Sequence, residues 1–181
     1  MRIGDYLIQK WRMKIAARWI PPGSRVLDIG CHQGEFLHWM GETITSSVGF
    51  DPLYANKSNS FKHLFFAEQF QSGLTLANQS FDVVTILATI EHIHEKSMIA
   101  QEAARLLHPG GRVIITVPSL LVDRILDILL FLHIIDGMSL EEHHGFLPSE
   151  LPAIFIPTGF RLRKKQKFQF GLNNLYVFER T

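Results

Sequence analysis

An α/β fold with a mostly parallel sheet follows from three observations on the chain. Short runs rich in Val and Ile alternate with helical patterns between residues 25 and 117, which is the signature of βαβ units. The first run passes directly into a turn punctuated by Gly30 and Gly34. The end of the chain then changes character: two strand-like runs flank Gly171-Leu172-Asn173 and read as an antiparallel hairpin.

The elements can be taken in order. Residues 3–20 place Ile3, Leu7, Trp11, Ile15 and Trp19 at four-residue spacing, with Arg2, Lys10, Arg12, Lys14 and Arg18 elsewhere. This predicts an amphipathic helix over residues 1–20, stopped by Pro21-Pro22-Gly23. Strands are expected at 25–29, 47–50, 63–67, 81–88 and 111–117, with helices at 34–43 and 96–107. Pro109-Gly110-Gly111 ends the second of these helices. Between 53 and 61 the residues Asn56, Lys57, Ser58, Asn59 and Ser60 favour turns, so the crossover helix there should be short or absent. Leu147-Pro148-Ser149 reads as a helix start with Ser149 as its cap. The runs 160–170 and 174–180 form the closing hairpin.

Composition narrows the class. A chain of 181 residues, 46% hydrophobic and 19% charged, is long enough to bury a full core and reads as globular. A formal net charge of +1 creates no global field for nucleic acid, and none is expected as a partner. The single cysteine, Cys31, excludes a disulfide framework and suits a reducing compartment; with no export signal in view, the cytoplasm is the expected location. The apolar stretch 125–135 is interrupted by Asp127 and His133 and is too short to span a bilayer, so stable membrane insertion is not expected. The basic run 161–167 lacks interleaved aromatics and reads as a protected edge strand rather than an RNA surface.

The chemistry is carried by Val26-Leu27-Asp28-Ile29-Gly30-Cys31-His32-Gln33-Gly34, followed by Val48-Gly49-Phe50-Asp51-Pro52. A strand runs into a Gly-punctuated turn, and a second strand ends on an acid. This is the plan of a site for an adenosine-type cofactor: the turn lets backbone approach the ligand, and the acid takes ribose hydroxyls about 20 residues later. A carboxylate at Asp28 would repel a pyrophosphate but welcomes a ligand with an ammonium and a sulfonium. His32 stands where a glycine would be commonest, and His tolerates positive φ better than most residues.

These residues resemble motif I of class I S-adenosylmethionine-dependent methyltransferases, in their small-molecule branch. Ser80-Phe81-Asp82 through Glu91-His92-Ile93 resembles the block at the fourth strand of that family, and Leu106 to Pro118 resembles the Pro-Gly-Gly block before the fifth. The resemblance implies a single Rossmann-like domain over 1–181, with a seven-stranded, mostly parallel sheet, helices on both faces and a C-terminal antiparallel hairpin. It implies S-adenosylmethionine as cofactor, S-adenosylhomocysteine as product, and methyl transfer to a small molecule, at a hydroxyl, by in-line displacement. The cofactor-binding residues it implies are Asp28, Gly30, Cys31, His32, Gly34, Asp51, Pro52, Gln69, Phe70, Leu87 and Ala88. His92, His143 and His144 are the candidates to orient or deprotonate the acceptor. The family acid that reads the adenine has no clear counterpart, since Phe70 stands near its position with Glu68, Gln69 and Gln71 beside it.

Glu91-His92-x-His94 invites a metal reading, but the further Glu that such sites place three residues earlier is Ala88, and no metal is expected. The segment 120–147 is read as a lid over the acceptor site. Its run 128–135 is apolar on every face but His133, which favours a hydrophobic acceptor, with a homodimer contact or a membrane contact as the other accounts. Two other functions stay open: a catalytically silent partner subunit of the same fold, and a nucleic-acid or protein methyltransferase. The second is weakened by Leu87-Ala88-Thr89-Ile90 where amino-group enzymes carry Asn/Asp-Pro-Pro-Tyr.

Overall fold

The computed structural model of the protein describes residues 3–55, 62–73, 75–119 and 146–181. Seven strands form one sheet in the order β3-β2-β1-β4-β5-β7-β6. They are β1 (Val26–Ile29), β2 (Val48–Phe50), β3 (Leu64–Phe66), β4 (Phe81–Leu87), β5 (Leu107–Pro118), β6 (Phe160–Phe168) and β7 (Asn173–Arg180). The first five pair in parallel, and β7 enters antiparallel between β5 and β6. The expected seven-stranded sheet with its C-terminal hairpin is therefore present. β1 is buried along its whole length, as a central parallel strand covered on both faces must be.

Helices α1 (Ile3–Ala17) and α2 (Glu35–Met40) cover one face; α3 (Lys96–Leu106) and α4 (Leu151–Phe155) cover the other. On the first face Met13, Ile15, Ala16, Phe36, Leu37 and Met40 pack on Val26, Val83, Ile114 and Val177. On the second, Ile99, Ala103, Leu106, Leu151 and Phe155 pack on Leu27, Ile86, Ile115 and Phe178. The direction of α1 is set at both ends. The Gln169 amide donates to the Ile8 carbonyl at 2.7 Å, and Arg112 donates to the Trp19 carbonyl at 2.9 Å. Arg112 lies early in β5, whereas Asn173, which pairs with Pro118 at the far end of β5, donates to Gln169. The helix therefore runs counter to β5, with its first turns beside the carboxyl ends of the strands.

Several boundaries differ from the sequence reading. α1 stops at Ala17, and its buried side is Met13, Ile15 and Ala16, while Leu7 and Trp11 of the predicted apolar row stay exposed. β5 begins at Leu107, which pairs with Phe81, and an irregularity around Pro109-Gly110 shifts its register before Arg112 pairs with Val83. Ser149 caps no helix among the described residues: it lies inside a 3₁₀ turn, Pro148–Glu150, and α4 starts after it without a side-chain cap. The hairpin turn is Gln169–Gly171, two residues earlier than expected. Residues 51–55 carry no helix, and 56–61 lie outside the described residues. The basic run 161–167 lies on the edge strand β6, where Arg161 and Arg163 pair with Glu179.

Candidate active site

The carboxyl ends of β1, β2 and β4 meet at one edge of the sheet, where a parallel α/β fold binds its ligands. The N–H groups of Gly30 and Cys31 both donate to the Phe50 carbonyl, at 2.8 and 3.1 Å, which draws the β1 turn against β2. His32 follows with φ 50°, the left-handed conformation anticipated for it. Its N–H donates to Asp51 Oδ2 at 2.8 Å, and Leu53 N–H donates to Asp51 Oδ1 at 2.8 Å. Asp51 thus ties the two loops together, and a carboxylate has about four lone-pair sites, so each oxygen can still accept a ligand hydroxyl. Gln33, which the sequence reading passed over, closes the clamp: its amide donates to the Leu53 carbonyl at 2.8 Å and accepts from Ala55 N–H at 3.2 Å. The His32 ring pairs with Glu35 at 2.8 Å, and Gly34, at φ 78°, opens α2.

Asp28 sits inside the sheet, 2% exposed, and accepts a 2.6 Å hydrogen bond from the Thr85 hydroxyl. Burial pushes its carboxyl up to about 7; the Thr85 bond opposes this, and the negative fields of Glu35 and Asp51 add to it. Three carboxyl groups in mutual repulsion make a site that a cationic ligand relieves. Cys31 is buried beside them, and burial followed by the charge of Asp28 pushes its thiol up. Pro52 is exposed in the loop after Asp51.

Gly30 is the tightest point of the turn. With φ 78°, it faces the Thr89 side chain so closely that a Cβ placed there would lie 2.1 Å from the hydroxyl oxygen. Leu87 and Ala88 lead to Thr89; Ala88 has φ 54° and bonds the Thr116 carbonyl through its N–H at 2.9 Å. On the far side of Asp51, Phe70 is buried with its ring edge-on to Phe50 at 5.4 Å, and Gln69 is exposed. The half-exposed ring of this loop region is Phe66, stacked on Phe50 at 4.8 Å, and its carbonyl accepts from Asp51 N–H. Its position at the end of β3 was the available signal.

Beyond β4, a 3₁₀ turn (Ile90–His92) separates two neighbouring residues. His92 is exposed, whereas Glu91 is 3% exposed and its Oε2 has no hydrogen-bond partner among the described residues. Burial pushes the Glu91 carboxyl up to about 7, against its own backbone N–H and the positive charges of Arg12 and Lys96. Arg12 is the facing cation on α1; burial lowers its pKa, Glu91 raises it, and its Nε has no partner among the described residues. Thr116 and Ser119, at the end of β5, also carry buried hydroxyls without partners among the described residues. Lys96 donates to the Ile93 carbonyl at 2.5 Å and lies over the Phe146 ring at 4.7 Å. His143 and His144, and residues 120–145 of the proposed lid, lie outside the described residues. Among the described residues no three His, Cys, Asp or Glu side chains gather into a metal site.

A family model for a methyltransferase domain matches residues 2–165. The chain belongs to this methyltransferase family. It is of the class I kind, and the cofactor that goes with the family is S-adenosylmethionine. The residues present fit that molecule: a bare turn, a ribose-ready carboxylate at Asp51 and a surplus of negative charge around its cationic end. Solved structures agree on the fold. A methyltransferase in complex with the Haloferax volcanii Trm112 methyltransferase activator is similar with a TM-score of 0.74 at 15% identity, over 94% of this chain and 89% of that one. An S-adenosylmethionine-dependent methyltransferase from Mesorhizobium loti matches with a TM-score of 0.70 at 12% identity, over 92% and 96%. Among curated proteins, the ubiquinone biosynthesis O-methyltransferase of Salmonella enteritidis is 31% identical over 99 residues, 50% of this chain and 41% of its own length. The chain thus spans about two fifths of the length of that relative. No helix among the described residues is long and apolar enough to cross a membrane.

Proposed function

We propose that this methyltransferase domain moves the methyl group of S-adenosylmethionine to a hydroxyl of a small molecule with substantial apolar surface. The observation that carries the reading is the pairing of the carboxylate-lined turn at β1 and β2 with the buried Glu91 carboxyl after β4, whose Oε2 has no hydrogen-bond partner among the described residues. The name of the Salmonella O-methyltransferase supports a hydroxyl acceptor, on a match that covers half of this chain. When bound, the cofactor would supply a methyl group from its sulfonium sulfur, which would keep the C–S bonding pair and become a neutral thioether as the acceptor oxygen takes the methyl and loses its proton.

The chain's own residues then do the positioning. Asp51 holds the ribose hydroxyls, and the turn from Gly30 to Gly34 surrounds the amino-acid end. Asp28 and Glu35 supply negative field to the cationic groups from behind the turn. Such charge dispersal needs no oxyanion hole, so alignment of the acceptor with the methyl is the main source of rate. Glu91 is suited to take the acceptor proton, because a group poised near neutrality serves best as a general base. His92, His143 and His144 are its rivals for that role.

The test is incubation of the purified protein with the cofactor and matched phenol, aliphatic alcohol and amine acceptors of graded apolarity. The readouts are S-adenosylhomocysteine release and the mass gain of one methyl group. Turnover on hydroxyl acceptors, rising with apolar area, is expected. Absence of S-adenosylhomocysteine binding would instead identify a silent partner subunit, and turnover only on RNA or protein would replace the acceptor class.

A further inference from the structure

We propose that the outer face of α1, together with the β6–β7 turn, is a docking surface for an anionic phospholipid bilayer. The surface is built of two parallel ridges. Leu7 and Trp11, one turn apart, are 59% and 41% exposed. Beside them Lys10, Lys14 and Arg18 recur at the same spacing, and the two rows line a shallow groove on the outside of the helix. An apolar ridge beside a basic one is the pattern of a helix lying in the membrane interface, with its apolar side at the acyl boundary and its cations on phosphates.

The β6–β7 turn adds a second, independent feature. Phe170 is 94% exposed, and its ring meets Trp11 edge to face at 5.9 Å. The turn holds it out at a conformational cost, since Gln169 and Phe170 both have positive φ, at 50° and 56°. Bulky residues rarely adopt that region. The strain is held by the Gln169 side chain, which donates to the Ile8 carbonyl on α1 and accepts from Asn173. Nothing in the packing of the core requires a phenylalanine at this tip.

The charges are available for an external anion. Lys10 lies over the Tyr6 ring at 5.4 Å, and among the described residues neither Lys14 nor Arg18 forms an ion pair. A second copy of the chain is the poorer occupant, because a two-fold contact through this face would set cations against cations. Arg12, on the inner side of the same helix, feels the charge of Glu91, so it takes no part in this outer surface.

Vesicle flotation of the whole protein tests the proposal, using phosphatidylcholine alone and phosphatidylcholine mixed with phosphatidylglycerol. Binding is expected only to the anionic vesicles, weakening as salt is raised. Trp11→Ser with Phe170→Ser, and separately Lys10→Glu with Lys14→Glu and Arg18→Glu, should each reduce partitioning at least tenfold. Unchanged S-adenosylhomocysteine affinity and melting temperature would show that both variants are folded. The proposal is overturned if no vesicle binds, if neutral and anionic vesicles bind alike, or if folded variants bind like the wild type. Sedimentation showing a dimer that Trp11→Ser dissociates would also overturn it, in favour of a contact between copies.

Discussion

Replacing Gly30 with alanine places two separable costs on the cofactor turn. The first is conformational: at φ 78° an L-residue costs about 1–2 kcal/mol relative to glycine. The second is steric. The new Cβ would lie 2.1, 2.3 and 2.7 Å from the Oγ1, Cγ2 and Cβ atoms of Thr89, and all three distances are too short to survive without movement. Overpacking of this kind costs about 1–3 kcal/mol. Gly30→Ala should therefore destabilise the fold by about 2–5 kcal/mol in urea unfolding. Thr89→Gly removes all three colliding atoms and leaves the conformational cost untouched. In a double-mutant cycle the pair should recover about 1–3 kcal/mol relative to the sum of the single changes. Additivity within about 0.5 kcal/mol would refute the close approach of Thr89 to Gly30 as the reason for glycine there.

Three further outcomes follow from the same geometry. Asp51→Ala should weaken S-adenosylhomocysteine binding by about 1.5–3 kcal/mol in titration calorimetry, as expected for hydrogen bonds to a charged group, and unchanged affinity in a folded variant would remove Asp51 from the ribose role. Asp28 is raised from 3.8 to about 7, so the folded state holds its proton more tightly than the unfolded chain and stability falls as pH rises between those values. At about 1.4 kcal/mol per pH unit, Asp28→Asn should gain several kcal/mol over the wild type at pH 8 and little near pH 4; parallel stability–pH curves would contradict this. His32→Gly relieves the left-handed strain and loses an exposed pair with Glu35, so stability should move by less than about 1 kcal/mol and cofactor binding should persist. Loss of binding in a folded protein would make the His32 side chain a ligand contact.

Requirements of the local backbone were legible in the chain. Alternation of Val- and Ile-rich runs with helical patterns fixed the parallel strands, and Gly30, His32 and Gly34 announced a turn with positive φ because few other residues tolerate it. Asp51 was recognisable as the acid ending β2 from its distance to that turn. Contacts between distant segments were not legible. Periodicity marked Leu7 and Trp11 as a row on α1, but which side of a helix is buried depends on the surface it meets, and here β4, β5 and β7 take Met13, Ile15 and Ala16. The bond from Gln169 to Ile8 spans most of the chain, and with it the hairpin turn falls at Gln169–Gly171 rather than at Gly171-Leu172-Asn173. Glu91 and His92 are adjacent in sequence and equally polar; only the 3₁₀ turn after β4 sends one toward Arg12 in the interior and leaves the other at the surface. A single residue's φ preference is a property of that residue, whereas the burial of a side chain depends on what the rest of the fold packs against it.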